Sequence, residues 1–128
     1  MCRDDCSFIG GDFCQNFLKM VQKKENEAIQ INIKTLPFLN NTFDHVICVA
    51  VIHHIKDKSD QIKAIKELVR VTKIKGTILI TVWEAHGEYK KGDNYVDWYL
   101  QKKYNKEESK EVVFKRYYYM YDDNELYK

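Results

Sequence analysis

The stretch from Leu36 to His54, LPFLNNTFDHVICVAVIHH, restricts the possible folds more than any other part of the chain. Pro37 pushes Leu36 out of helical space, so Leu36-Pro37-Phe38 is an extended approach. Asn40-Asn41-Thr42 is a turn. Val46 to Ile52 are seven consecutive apolar residues, mostly β-branched. A short continuous apolar run after a turn signal predicts a strand buried on both faces, as in the middle of a parallel sheet. The run ends in His53-His54. In open parallel sheets ligands bind beyond the carboxyl ends of the strands, which makes these two histidines the first site candidates. Strand neighbours point to opposite faces, so only one of them should face a site unless the backbone turns there.

The flanking sequence repeats the strand–helix alternation. Ser7 to Asp12 is the tail of a strand closing on Gly10-Gly11 and an acid. Phe17, Leu18 and Val21 fall at helical spacing within Asn16 to Lys24, and Glu25-Asn26-Glu27 breaks that helix. Ala28 to Ile33 alternates apolar and polar residues, as a strand with one drier face does. Ile62, Ile65, Leu68 and Val69 share one face of a predicted helix from Asp57 to Thr72, with Asp57 or Ser59 as its cap. Gly76 ends the connection, and Thr77 to Trp83 is a second buried strand. Two βα units with buried strands imply an α/β fold with a parallel sheet. After Trp83 the pattern weakens: Glu84 to Gly92 is polar, Tyr95 to Leu100 aromatic, Lys102 to Lys110 charged, and Phe114 to Tyr121 aromatic with a basic pair.

Composition narrows the class. The 128 residues suggest one domain, 45% apolar and 31% charged, with no run near the roughly 18 apolar residues of a membrane span. The first residues have no apolar signal core, so a cytosolic or nuclear setting is expected. A net charge of +2 neither demands nor excludes a nucleic-acid partner. The four cysteines form no close pair; Cys48 reads as a core residue, and no metal site is expected from Cys2 and Cys6 or from His53 and His54.

Three blocks together, FDHVICVAVIHHI from Phe43, AIKELVRV from Ala64 and GTILITVW from Gly76, resemble class I S-adenosylmethionine-dependent methyltransferases. Two distal segments narrow the resemblance to the tRNA wobble-uridine carboxymethyl methyltransferases, which include the methyltransferase domain of an AlkB-homologue tRNA enzyme. Asp93-Asn94-Tyr95-Val96-Asp97-Trp98 resembles that family's D-x-x-V-P-W, and Phe114-Lys115-Arg116-Tyr117-Tyr118 followed by Glu125-Leu126 resembles its RYYH…EL. The resemblance implies a Rossmann-like sheet, S-adenosylmethionine as methyl donor, tRNA as substrate, and esterification of a carboxymethyl group on the wobble uridine. It also implies a small zinc-ribbon activator subunit along the strand at 28–33.

Carried onto this sequence, the resemblance puts Gly11 and Asp12 at the cofactor ribose, where two carboxylate oxygens suit a vicinal diol, although a helix cap is the plainer reading of Asp12. Asn32 stands where the family has an acid facing the adenine amino group. Leu36 and Phe38 would line the adenine pocket or belong to the core. Ala50 to His54 would pass the methyl donor and the incoming base, with His53 and His54 at the reaction. Arg116 would take the substrate carboxylate or a tRNA phosphate through its planar fork. Trp98, Tyr117 and Tyr118 would stack on extruded bases or pack over the sheet edge. The departures are a missing glycine-rich loop, a first strand and last strands not expected in this sequence, and an irregular aromatic and charged insertion at about 84–115. The chain is therefore expected to be a single partial methyltransferase domain, a piece of a longer enzyme. The alternative is a non-catalytic methyltransferase-like module that binds RNA or protein.

Overall fold

The computed structural model describes residues 6–22, 27–99, 113–123 and 125. Cys2, the charged stretch from Lys102 to Lys110, and Leu126 lie outside the described residues. The elements run β1 (Gly10–Asp12), α1 (Gln15–Gln22), β2 (Ala28–Gln30), β3 (Phe43–Val49), a 3-10 turn (Ile52–His54), α2 (Lys58–Val71), β4 (Thr72–Thr81), β5 (Gly92–Tyr99) and β6 (Val113–Met120). The expected order of strand, helix, strand, strand, helix, strand is present from β1 to β4.

β1 pairs parallel with β2, and β3 pairs parallel with β4. β5 and β6 form an antiparallel pair. Each pair is a separate two-stranded sheet. β5 falls inside the stretch expected to be irregular: its half-buried Gly92, Asn94, Val96 and Trp98 alternate with exposed residues, the two-residue period of a strand with one covered face.

α2 organises the core. Asp57 caps it, accepting from the backbone N–H groups of Ser59 and Asp60 at 2.8 and 3.3 Å. Its Ala64, Leu68 and Val71 are buried with Cys48, Ile52, Leu36 and Tyr121, and Val46, Ile65, Ile78 and Ile80 pack against them. From the same helix Glu67 and Arg70 hold the Leu36–Phe38 approach. The Glu67 carboxylate accepts from Leu36 N–H at 2.7 Å, and the Arg70 guanidinium donates to the carbonyls of Phe38 and Leu36 at 2.7 and 3.0 Å. Arg70 beside it holds the Glu67 carboxyl down at about 2.

The strand expected to be buried on both faces is covered on one. Val46 and Cys48 face α2, whereas Ile47 and Val49 are 62% and 58% exposed, as is Leu79 opposite Ile47 at 56%. A continuous apolar run does not say how many faces a fold covers, and here the second face is open. The strand also ends earlier than the run, at Val49, because Ala50 turns into the left-handed region at φ 56. At the other end of the pair, Phe43 is opposite Thr72 but His45 is opposite Thr77, so β4 carries extra residues there. Lys75 (φ 67) turns them, and Gly76 is required: a Cβ would lie 2.6 Å from the Asp44 carbonyl oxygen. No helix among the described residues is long and apolar enough to cross a membrane.

Candidate functional site

The turn at Ala50 decides the geometry at the end of β3. Its N–H still bonds to Thr81 at 3.1 Å, and the chain then enters the 3-10 turn, so His53 and His54 are not successive strand residues on opposite faces. Their rings meet edge to face, with centroids 4.4 Å apart. Tyr118 of β6 lies against both, at 5.2 Å from His53 and 4.4 Å from His54, and stacks on Trp83 at 4.5 Å. Four rings from three elements therefore share one cluster.

The two histidines differ in every physical respect. His53 is fully buried. Its Nδ1 accepts the Trp83 backbone N–H at 3.1 Å, and Nε2 has no partner. Burial first, and then the neighbouring His54, lower its pKa to about 4, so the ring is neutral. An unmet buried donor costs about 1–3 kcal/mol. His54 is exposed, and its Nδ1 bonds to the Tyr117 carbonyl at 3.0 Å. Because a carbonyl only accepts, that nitrogen carries the proton.

His54, Arg116 and Tyr117 line an open cleft of about 360 Å3. The Arg116 guanidinium lies over the Trp98 ring, 4.5 Å from its centroid. Arg116 is opposite Val96, one step on the same face from the Trp98–Phe114 pair, so the strand register produces this stack. No carboxylate among the described residues pairs with Arg116, and stacking uses its face, leaving the in-plane N–H fork for an oxyanion. Tyr117 is half-buried; its hydroxyl donates to Asp93 at 2.7 Å, and burial pushes its pKa upward. A larger cleft of about 520 Å3 also borders Trp83, but its walls include Glu84 and Glu88, which would repel an anion.

The expected site residues thus divide into two groups. His53, His54, Trp98, Arg116, Tyr117 and Tyr118 converge. Tyr118 is buried in the ring cluster, where it packs against His53, His54 and Trp83. Trp83 was read only as the end of a strand; nothing in its sequence position signals that its N–H anchors His53. The second group lies at the carboxyl ends of β1 and β2. Asp12 is exposed and its Oδ1 accepts from Cys14 N–H at 2.6 Å, the local turn that leads into α1. Asn32 Oδ1 likewise accepts from Lys34 N–H at 3.0 Å. Gly11 makes room for Ile31, whose Cδ1 would lie 2.1 Å from a Cβ there, so its absent side chain serves packing. Leu36 is a buried core residue, and Phe38, packed against that core, meets Phe43 edge-on at 4.8 Å. Ala50 is the hinge of the turn, its backbone held by Thr81.

Parallel strand–helix units with polar residues gathered at the strands' carboxyl ends are the arrangement of a Rossmann-like methyltransferase sheet, here incomplete. An S-adenosylmethionine-dependent methyltransferase from Clostridium acetobutylicum shares this fold with a TM-score of 0.63 at 14% identity, over 94% of this chain and 61% of that one. A Pyrococcus horikoshii protein aligns with a TM-score of 0.51 at 25% identity, over 59% and 37% of the two chains. The family model described as a methyltransferase domain matches residues 1–80, more than half of the sequence, and the chain belongs to that family. It is 40% identical over 83 residues to the tRNA (carboxymethyluridine(34)-5-O)-methyltransferase of Arabidopsis thaliana, covering 65% of this chain and 20% of the relative. It is 36% identical over 87 residues to the Xenopus tropicalis protein of the same description, alkbh8, covering 68% and 14%. The chain spans a fifth or less of the length of these relatives.

Proposed function

We propose that this chain is part of an S-adenosylmethionine-dependent tRNA methyltransferase that esterifies a carboxymethyl group on the wobble uridine. The observation that carries the reading is the convergence of His54, Arg116 and Tyr117 on one cleft, with the Arg116 guanidinium backed by Trp98 and met by no carboxylate among the described residues. A carboxylate on a planar base suits that cleft: Arg116 takes the carboxylate and the surrounding rings take the base.

The adenosine end of the cofactor fits the residues at the ends of β1 and β2. Asp12 is exposed, and its carboxylate, one oxygen of which receives the Cys14 N–H, would accept from the ribose diol. Asn32 would accept from the adenine amino group, without charge. S-adenosylmethionine supplies an activated methyl on a sulfonium. The substrate carboxylate is ionised at neutral pH, so no residue need remove a proton from it. Held by Asp12 and Asn32, the cofactor would supply that methyl to one carboxylate oxygen. The contribution of the protein is orientation: Arg116 holds one oxygen and leaves the other to attack, and the rings fix the base.

A zinc-ribbon activator along 28–33 belongs to the same proposal, resting on the resemblance; β2 itself offers Ala28–Gln30. The second reading, a binding module without catalysis, draws on Asp12 and Asn32, each already holding a backbone N–H. Methyl transfer to tRNA carrying carboxymethyluridine tests the choice. Arg116→Ala should lower transfer about tenfold to a hundredfold, the value of one charge-assisted bidentate contact. Asp12→Ala should weaken cofactor binding by calorimetry. Cofactor-independent tRNA binding with no transfer would support the module instead.

A further inference from the structure

His53 Nε2 is the one buried side-chain nitrogen or oxygen without a hydrogen-bond partner among the described residues. Because Nδ1 accepts the Trp83 N–H, the proton of the neutral ring sits on Nε2. A fully buried donor with no acceptor is uncommon in a native fold and asks what it is kept for. Its neighbours are three rings. Tyr118 belongs to β6, and Trp83, just past the end of β4, accepts the Tyr121 N–H at 2.9 Å; the two rings stack at 4.5 Å. His54, 4.4 Å away, is exposed and held by one bond, to the Tyr117 carbonyl. His54 is also a wall of the cleft it shares with Arg116 and Tyr117. His54 thus both lines the cleft and lies against the His53 ring.

Building on the proposed reaction, we infer that the His53 Nε2–H is a recognition donor for a ring carbonyl of the methyl-accepting base, and that His54 shields it until the base enters. Arg116 then takes the carboxylate arm of the ligand while His53 reads its ring, so the cleft selects a pyrimidine that carries both. Burial keeps His53 uncharged at neutral pH, so the donor is a neutral one.

The test is a titration of the chain with the nucleoside 5-carboxymethyluridine and with uridine, followed through imidazole nitrogen resonances. In the free protein His53 should show the neutral Nε2–H tautomer, and either nucleoside should shift that nitrogen. His53→Asn keeps an oxygen near the Nδ1 position to accept the Trp83 N–H and has nothing at Nε2. Its affinity for the nucleosides should fall about tenfold, the loss of one neutral hydrogen bond. Arg116→Ala should remove the preference for the carboxymethyl compound yet leave the Nε2 shift. Should His53→Asn fail to fold, His54→Ala carries the same question, because removing the shield should speed exchange of the Nε2 proton with water. An unmoved Nε2 with full affinity in His53→Asn, or an unchanged exchange rate in His54→Ala, overturns the inference while leaving the methyltransferase reading intact. Failure of both nucleosides to bind overturns the inference and counts against that reading as well.

Discussion

Trp83 gives its backbone N–H to a histidine ring and not to a strand neighbour, and this bond gives His53 a role in stability as well as in the site. The folded chain holds the imidazole neutral down to about pH 4, whereas the unfolded chain takes up the proton near the ordinary 6.5. Between those values the unfolded state binds more protons, so acid favours unfolding there. Stability from this group is complete above pH 6.5 and is lost as the pH falls through 6.5 toward 4. Thermal melts across that window should show a falling midpoint for the wild type and a flatter profile for His53→Asn; equal slopes would contradict the burial of a neutral ring. The sequence showed two histidines after a strand and placed them at a site. It did not show which would be buried, because that depends on the φ of Ala50 and on Tyr118, which is 65 residues away from His53 and belongs to another sheet.

At the scale of elements, α2 was the most legible part of the chain. Its extent and its Asp57 cap appear in the sequence, and the structure bounds it at Lys58–Val71 against the expected Asp57–Thr72, but the buried face is Gln61, Ala64, Leu68 and Val71, whereas Ile62 and Val69 of the expected face are 47% and 58% exposed. Less legible was its hold on the approach to β3. Arg70 reaches two carbonyls and Glu67 in a partly buried setting, while Lys63 meets Asp60 at the surface three residues along the helix. Surface ion pairs contribute little, but a guanidinium that satisfies backbone carbonyls leaves them unmet when removed. Arg70→Ala should therefore lower the melting temperature clearly more than Lys63→Ala, which should lie near the wild type. A reversed order would mean that the Leu36–Phe38 approach is held by Phe38 packing alone. β5 was missed because its residues in sequence, GDNYVDWY, mix acids with aromatics; the two-residue period becomes visible only against β6, whose register also brings Arg116 onto Trp98.

For the whole molecule, the run that defined the fold class was right about strand and parallel pairing and wrong about cover. Ile47 and Leu79 are register partners on an open face, with Val49 beside them. Exposed contiguous apolar surface of this kind promotes association. Ile47→Thr with Leu79→Thr should raise the soluble fraction on expression while leaving the melting temperature little changed, since neither side chain is in the core. A large loss of stability would show that this face is covered in solution. The candidate cofactor residues near the ends of β1 and β2 and the Arg116–Tyr117 cleft along β6 belong to separate two-stranded sheets. The family resemblance named both groups, but their relation depends on the three-dimensional assembly and not on any local pattern.

In the proposed reaction the methyl goes to a carboxylate oxygen and not to a nitrogen or carbon of the base. An ester is cleaved by mild alkali, whereas an N-methyl or C-methyl group is stable to it. With labelled S-adenosylmethionine and tRNA bearing carboxymethyluridine, the incorporated methyl should be released from the RNA as methanol on brief alkaline treatment. Label that stays on the RNA under those conditions would contradict the assignment of the Arg116 cleft to a carboxylate.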